Sequence, residues 1–111
     1  MPEYCFEWDE NKNTTNIGKY GIDFREASKI FYDNCRLTFP DTRQDYGELR
    51  EISIGEINLS LDNSIIILVV VHTDRDGSIR IISARKANKK ERTIYAQRKN
   101  IFGWYASGTK A

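Results

Sequence analysis

Ser78-Ile-Arg-Ile-Ile-Ser-Ala-Arg-Lys-Ala-Asn-Lys-Lys-Glu-Arg-Thr-Ile-Tyr-Ala-Gln-Arg-Lys99 changes its periodicity part-way along. The first third is β-branched and apolar around one arginine, which predicts a core strand over Ile79 to Ala84. The last two thirds predict an amphipathic helix with a basic face. Asn88 and Glu91 stand three apart at the junction, the pattern of a capping box. A strand-to-helix corner carrying Arg80, Ser83, Arg85 and Lys86 brings together groups that can hold a phosphate chain.

Upstream, Asp76-Gly77 is a strong hairpin signal. It joins this strand to Ile65–Val71, an uninterrupted apolar run that predicts a central strand covered on both faces. Leu49–Ile54 and Glu56–Leu61 alternate as half-buried strands do, and Asp62-Asn63 forms a turn. Asp41–Glu48 is polar, contains Gly47, and reads as a mobile loop. Arg36–Phe39 predicts a strand closed by Pro40.

Nearer the start, Asp23 and Glu26 give a second capping signal. Phe24, Ala27, Ile30 and Phe31 follow at helical spacing to about Tyr32. Asp9 caps a helix from Glu10 to Tyr20 that stops at Gly21. The asparagines and threonines in that helix are poor helix formers. Tyr4–Trp8 predicts a short first strand. Downstream, Ala87, Ile94, Tyr95, Ile101 and Phe102 mark the apolar stripe of the last helix. Lys89, Lys90, Arg92, Arg98 and Lys99 lie on its other sides. Gly103 ends it, and 104–111 form a tail from which Trp104 and Tyr105 fold back on the core. The whole is one α+β domain over residues 1–111, with the helices packed on one face of an antiparallel sheet.

The formal net charge of +1 conceals an asymmetry. Met1 to Asp74 carries 7 Lys or Arg against 14 Asp or Glu, a net of −7. Arg75 to Lys99 carries 9 against 2, a net of +7. That polarity fits an anionic partner for the basic part, or a solvated basic helix face. Cys5 and Cys35 lack metal-site spacing, and with one histidine, His72, they make no convincing metal site. Nothing marks secretion, so two buried, reduced thiols in a cytoplasmic protein are expected. No signal peptide or membrane span is visible.

With one histidine there is no Ser/His/Asp set, and His72, ending an apolar run, reads as structural. The chemistry left is a set of Arg, Lys and Tyr side chains. Such a set suits RNA cleavage without a metal or other cofactor. Arg or Lys stabilises charge on the scissile phosphate, and Tyr, Lys or Glu moves the proton of the 2′-hydroxyl. Strict alternation places Arg80 with Ile82 and Ala84 on one face of the strand, and Ile79, Ile81 and Ser83 on the other. Arg85 would share the face of Ser83.

These fragments, in their order and spacing, resemble the BrnT toxins of BrnT–BrnA toxin–antitoxin modules from about Phe6 to Tyr95. The resemblance rests on Phe6-Glu7-Trp8-Asp9, Lys12 and Asn16, then Lys19-Tyr20-Gly21-Ile22, Phe24, Glu26-Ala27, Phe31 and Asp33. It continues through Arg50, Gly55, Val69-Val70-Val71, Thr73, Arg80-Ile81-Ile82-Ser83-Ala84-Arg85, Ala87, Glu91-Arg92 and Tyr95. It implies a RelE-like fold and a ribonuclease that blocks translation. It also implies neutralisation by a BrnA-type ribbon-helix-helix antitoxin, in a complex that binds its own operator DNA. The family's basic positions map onto Lys12, Lys19, Arg50, Arg80 and Arg85, and its late tyrosine onto Tyr95. Tyr20 departs from the family's Lys-His-Gly pattern, and a phenol is a poorer acid/base than imidazole at neutral pH.

The expected catalytic set is Arg50, Arg80, Arg85, Tyr20 and Tyr95, with Arg80 and Arg85 on the phosphate and Arg50 beside them. Lys12, Lys19, Lys86, Lys89 and Lys90 are the expected RNA contacts. The alternative is a non-catalytic module whose basic face serves the antitoxin and operator DNA.

Overall fold

The computed structural model describes residues 3–59 and 64–107. Five strands form one sheet in the order β1-β5-β4-β3-β2, with β1 Phe6–Glu7, β2 Leu37–Pro40, β3 Glu51–Asn58, β4 Ile65–Arg75 and β5 Ser78–Lys86. The helices are α1 (Glu10–Tyr20), α2 (Phe24–Ala27), continued by a 3-10 turn over Ser28–Tyr32, and α3 (Lys89–Ser107). The architecture is α+β as expected. The sheet, however, is mixed: β2 to β5 are antiparallel neighbours, while the two residues of β1 pair parallel with β5. The expected turn at Asp62-Asn63 lies outside the described residues.

Each expected cap is present. The amides of Asn11 and Lys12 donate to the Asp9 carboxylate, and Gly21 closes α1 in the left-handed conformation at φ 75°. The poor helix formers of α1 have tertiary work. Asn16 donates to the carbonyls of Ile22 and Ala84 and accepts from the Ala84 amide. Because β1 is only two residues long, the outer edge of β5 has no strand partner at Ala84, and Asn16 satisfies it instead. Asn13 accepts from the Phe24 amide and donates to Asp23, tying α1 to α2.

The core has two parts. On one face Phe24, Ala27, Ile30 and Phe31 from the helical segments meet Leu68, Val70, Ile81 and Ala84. On the other, Tyr95 of α3, with Ala87, meets Ile54 and Val69. The last helix therefore packs on the opposite face from the first two, contrary to the one-sided arrangement expected. It also runs through Gly103 to Ser107. Glycine inside a helix costs only about 1 kcal/mol relative to alanine, so it does not by itself end one. The residues expected to form a tail thus begin as helix, and the side chains of Trp104 and Tyr105 lie outside the described part.

Gly55 has a packing reason. A Cβ there would stand 2.8 Å from Cβ of Ile30, where β3 passes the 3-10 turn. Both cysteines are free, but Cys5 is exposed and Cys35 only half-buried, so the expectation of two buried thiols fails. Cys5 precedes the short edge strand, where little packs over it.

His72 is structural. Its Nε2 shares a 2.7 Å hydrogen bond with Ser53 Oγ, which in turn bonds Thr38. Burial pushes the imidazole down to about 4, whereas an unfolded histidine titrates near 6.5. Between those values the unfolded chain binds the proton and the folded chain does not. The contribution to stability is therefore complete above about pH 6.5 and is lost as pH falls toward 4, on the order of 3 kcal/mol in all. Because His72 is the only histidine, its proton NMR signal needs no assignment. We expect no titration of the folded protein above pH 5, and a folded-state midpoint near 6.5 refutes this account.

Candidate nucleic-acid interface

The open part of the sheet face that α3 covers at one end carries the site. Its construction depends on one irregularity. Val71 pairs with Ser83 and His72 with Ile81, which leaves Ile82 unpaired as a β-bulge. A bulge resets the alternation of a strand. Ile81 and Ala84 therefore both face α1 and α2, while Arg80, Ser83 and Arg85 share the open face. The strict alternation expected from the sequence, which set Arg80 with Ala84 against Ser83, is corrected by this one residue.

Arg85 lies in a cleft of about 250 Å³ with Tyr20, Ser83, Glu91, Arg43 and Phe39 around it and Ile52 and Val71 as its floor. Its guanidinium makes a two-pronged pair with Glu91, each bond 2.8 Å. Glu91 also accepts from the Asn88 amide, and its own amide donates to the Asn88 side chain. The expected capping box is thus real, and the same carboxylate orients Arg85. The hydrogen bonds to Glu91 hold Arg85 above the ordinary arginine range and, conversely, Glu91 below the usual carboxylate range.

Tyr20 reaches this cleft because the left-handed Gly21 ends α1 there. It also borders a second groove of about 340 Å³ between α1 and β5, lined by Lys12, Thr15, Lys19, Ile82 and Ser83. Lys19 Nζ sits 5.3 Å from the centre of the Tyr20 ring. Tyr20 and Ser83 belong to both spaces, so they form one continuous path.

Arg80 and Arg50 stand apart from Arg85. Arg80 Nη1 donates to Glu7 at 3.1 Å and pairs in register with Thr73. Arg50 donates to Glu48 at 3.1 Å, stacks 4.0 Å over the Tyr46 ring, and lines a separate cleft with Thr73. At about 3.3 Å per residue, Arg80 and Arg85 are roughly 15 Å apart along β5. Each is turned to its own carboxylate, Arg80 to Glu7 and Arg85 to Glu91. Tyr95 is also elsewhere. It is 1% exposed, and its hydroxyl donates to Asp33 Oδ2 at 2.5 Å. Burial, followed by the bond to Asp33, pushes that phenol well above the usual tyrosine range. It belongs to the core and not to the cleft. Lys86, Lys89 and Lys90 are exposed around the β5–α3 corner and line none of these clefts.

The sequence reading missed Arg43. It falls in the stretch taken as a mobile loop, but Nε and Nη2 bond Asp41 at 2.8 and 2.7 Å, and it enters the Arg85 cleft. The only available signal was Asp41-x-Arg43 directly after Pro40. Among the described residues, no group of three His, Cys, Asp or Glu is placed to hold a metal ion. No helix there is long and apolar enough to cross a membrane.

A family model described as the ribonuclease toxin BrnT of type II toxin–antitoxin systems matches residues 8–91. The chain belongs to the BrnT toxin family. No curated protein matches it. The matched span contains α1, strands β2 to β5 and the Arg85–Glu91 pair, and begins just after β1. As a BrnT-family member the chain is a toxin of the ribonuclease class whose counterpart is an antitoxin protein. Tyr95 and most of α3 lie beyond the matched residues.

Proposed function

We propose that this BrnT-family chain is an endoribonuclease that cuts mRNA without a metal and so inhibits translation in the cytoplasm. The observation that carries the proposal is Arg85, held in a fixed orientation by Glu91 in a cleft shared with Tyr20 and Ser83. In the cleavage step the 2′-hydroxyl attacks the adjacent phosphorus and the 5′-oxygen leaves. Arg85 donates to the phosphoryl oxygens on which charge accumulates. A water molecule takes the proton of the 2′-hydroxyl and the Tyr20 hydroxyl gives one to the leaving 5′-oxygen, so the products are a 2′,3′-cyclic phosphate and a 5′-hydroxyl, with the phenolate reprotonated from water. Lys12 and Lys19 take the backbone along the groove beside α1. Arg50 and Arg80 hold RNA farther along the same face, and Lys86, Lys89 and Lys90 add long-range attraction.

The antitoxin is proposed to be a BrnA-type ribbon-helix-helix protein that carries the complex onto operator DNA. Ile94 and Ile101 of α3 are both exposed and offer it apolar surface.

A second reading has one observation in its favour. Arg50, Arg80 and Arg85 each already bond a carboxylate, as expected of a module that uses its basic face only for binding. Purified protein incubated with RNA and EDTA separates the two. Cleavage is expected, and intact RNA under conditions where the antitoxin still binds leaves only the binding module.

A further inference from the structure

The loop between β2 and β3 places an additional cation in the cleft. Asp41 has no exposed side-chain surface, whereas Arg43 is 63% exposed. The carboxylate points inward and the guanidinium outward. Asp41 is itself fixed, since its amide donates to the Arg50 carbonyl at 2.8 Å. It also receives the Arg43 amide at 3.2 Å. The hydrogen bonds from Arg43 hold the Asp41 carboxyl far below the usual carboxylate range. The Asp41 carboxylate also takes a hydrogen bond from the Tyr46 side chain, so the turn holds a fixed acid beneath an outward-facing arginine. Asp41 takes the Nε and Nη2 side of the guanidinium, Tyr46 also hydrogen-bonds it, and the five N–H donors of an arginine exceed what these two partners use.

That position is opposite Arg85. Arg43 follows β2 and Arg85 lies on β5, three strand spacings away, about 14 Å at about 4.8 Å each. Ile52 and Val71, on the two strands between them, line the cleft, and two half-exposed rings border it, Tyr20 on the β5 side and Phe39 on β2. Two cations spaced across a cleft that is also bordered by aromatic rings match a single strand whose base stacks while its flanking phosphates are gripped.

We infer that Arg43, preset by Asp41, binds the RNA phosphate neighbouring the one at Arg85, so that the cleft holds one nucleotide between two arginines. The inference rests on the ribonuclease reading and is tested without cleavage. The probe is a 2′-O-methyl RNA oligonucleotide, titrated by fluorescence anisotropy at several salt concentrations. Arg43→Gln is expected to bind about 10-fold more weakly and to flatten the slope of log K against log salt by about 0.7, the loss of one phosphate contact on a single strand. Because Arg43→Gln leaves a buried carboxylate without its cation, wild-type protein provides a second measurement. The oligonucleotide is expected to protect Arg43 from phenylglyoxal, read by mass spectrometry. Unchanged affinity and slope, or an unprotected Arg43 on RNA-bound protein, overturns the inference alone. Wild-type protein that does not bind the probe overturns the ribonuclease reading with it.

Discussion

Arg85→Ala is expected to lower kcat/KM for RNA by about 10²–10³, the usual cost of losing one donor to developing charge. The fold should survive. The Arg85 side chain is 38% exposed, and a pair of that exposure is worth about 0–1 kcal/mol. Glu91 keeps its reciprocal bonds with Asn88, so α3 remains capped. Arg85→Lys should recover only part of the loss, because an ammonium cannot reproduce the two-pronged geometry. Induced expression without antitoxin should then leave growth and RNA intact, with a thermal transition near that of the wild type. Full toxicity from Arg85→Ala would remove Arg85 from the mechanism, and a variant that does not fold would make it structural.

Tyr95 should behave in the opposite way. Tyr95→Ala empties a fully buried aromatic site and is expected to cost about 3–5 kcal/mol. Tyr95→Phe removes only the hydroxyl bonded to Asp33, which still accepts from the Glu56 amide at 2.8 Å. Its cost is about 1–3 kcal/mol. Denaturant unfolding measures both. The phenylalanine variant should cleave RNA at the wild-type rate whenever it is folded. A stable but inactive Tyr95→Phe would restore this residue to the catalytic set.

The contrast between these residues shows what was legible in the sequence. Local signals were reliable. Asp9, Gly21, Asn88 and Glu91 all act as the caps their spacing predicted, because capping involves only neighbouring backbone. The uninterrupted apolar run marked the central strand correctly. What was not legible depended on distant partners. The parallel pairing of β1 joins residues more than seventy positions apart. The ordered turn around Asp41 arises because its carboxylate finds Arg43 and its amide finds Arg50. Arg80 and Arg85 were singled out together, yet their separation along β5 became measurable only with the strand's register. Tyr95 entered the expected catalytic set through the family resemblance although its spacing put it on the apolar stripe of the last helix, and nothing in its neighbours indicates that Asp33, sixty-two positions away, receives its hydroxyl.

Ile82 adds a constraint of another kind. In a regular strand only residues an even number apart point the same way, yet Arg80 and Arg85 are five apart and share a side. The strand therefore has a counted length, much as a coding message has a frame. A gap of one residue between the two arginines shifts everything on one side of it by half a pleat, turning an arginine inward or an apolar side chain outward. Among relatives, an alignment that slides this segment by one position compares residues from opposite faces. An arginine at the matching column then corresponds to Arg85 only if the unpaired residue before it is present too.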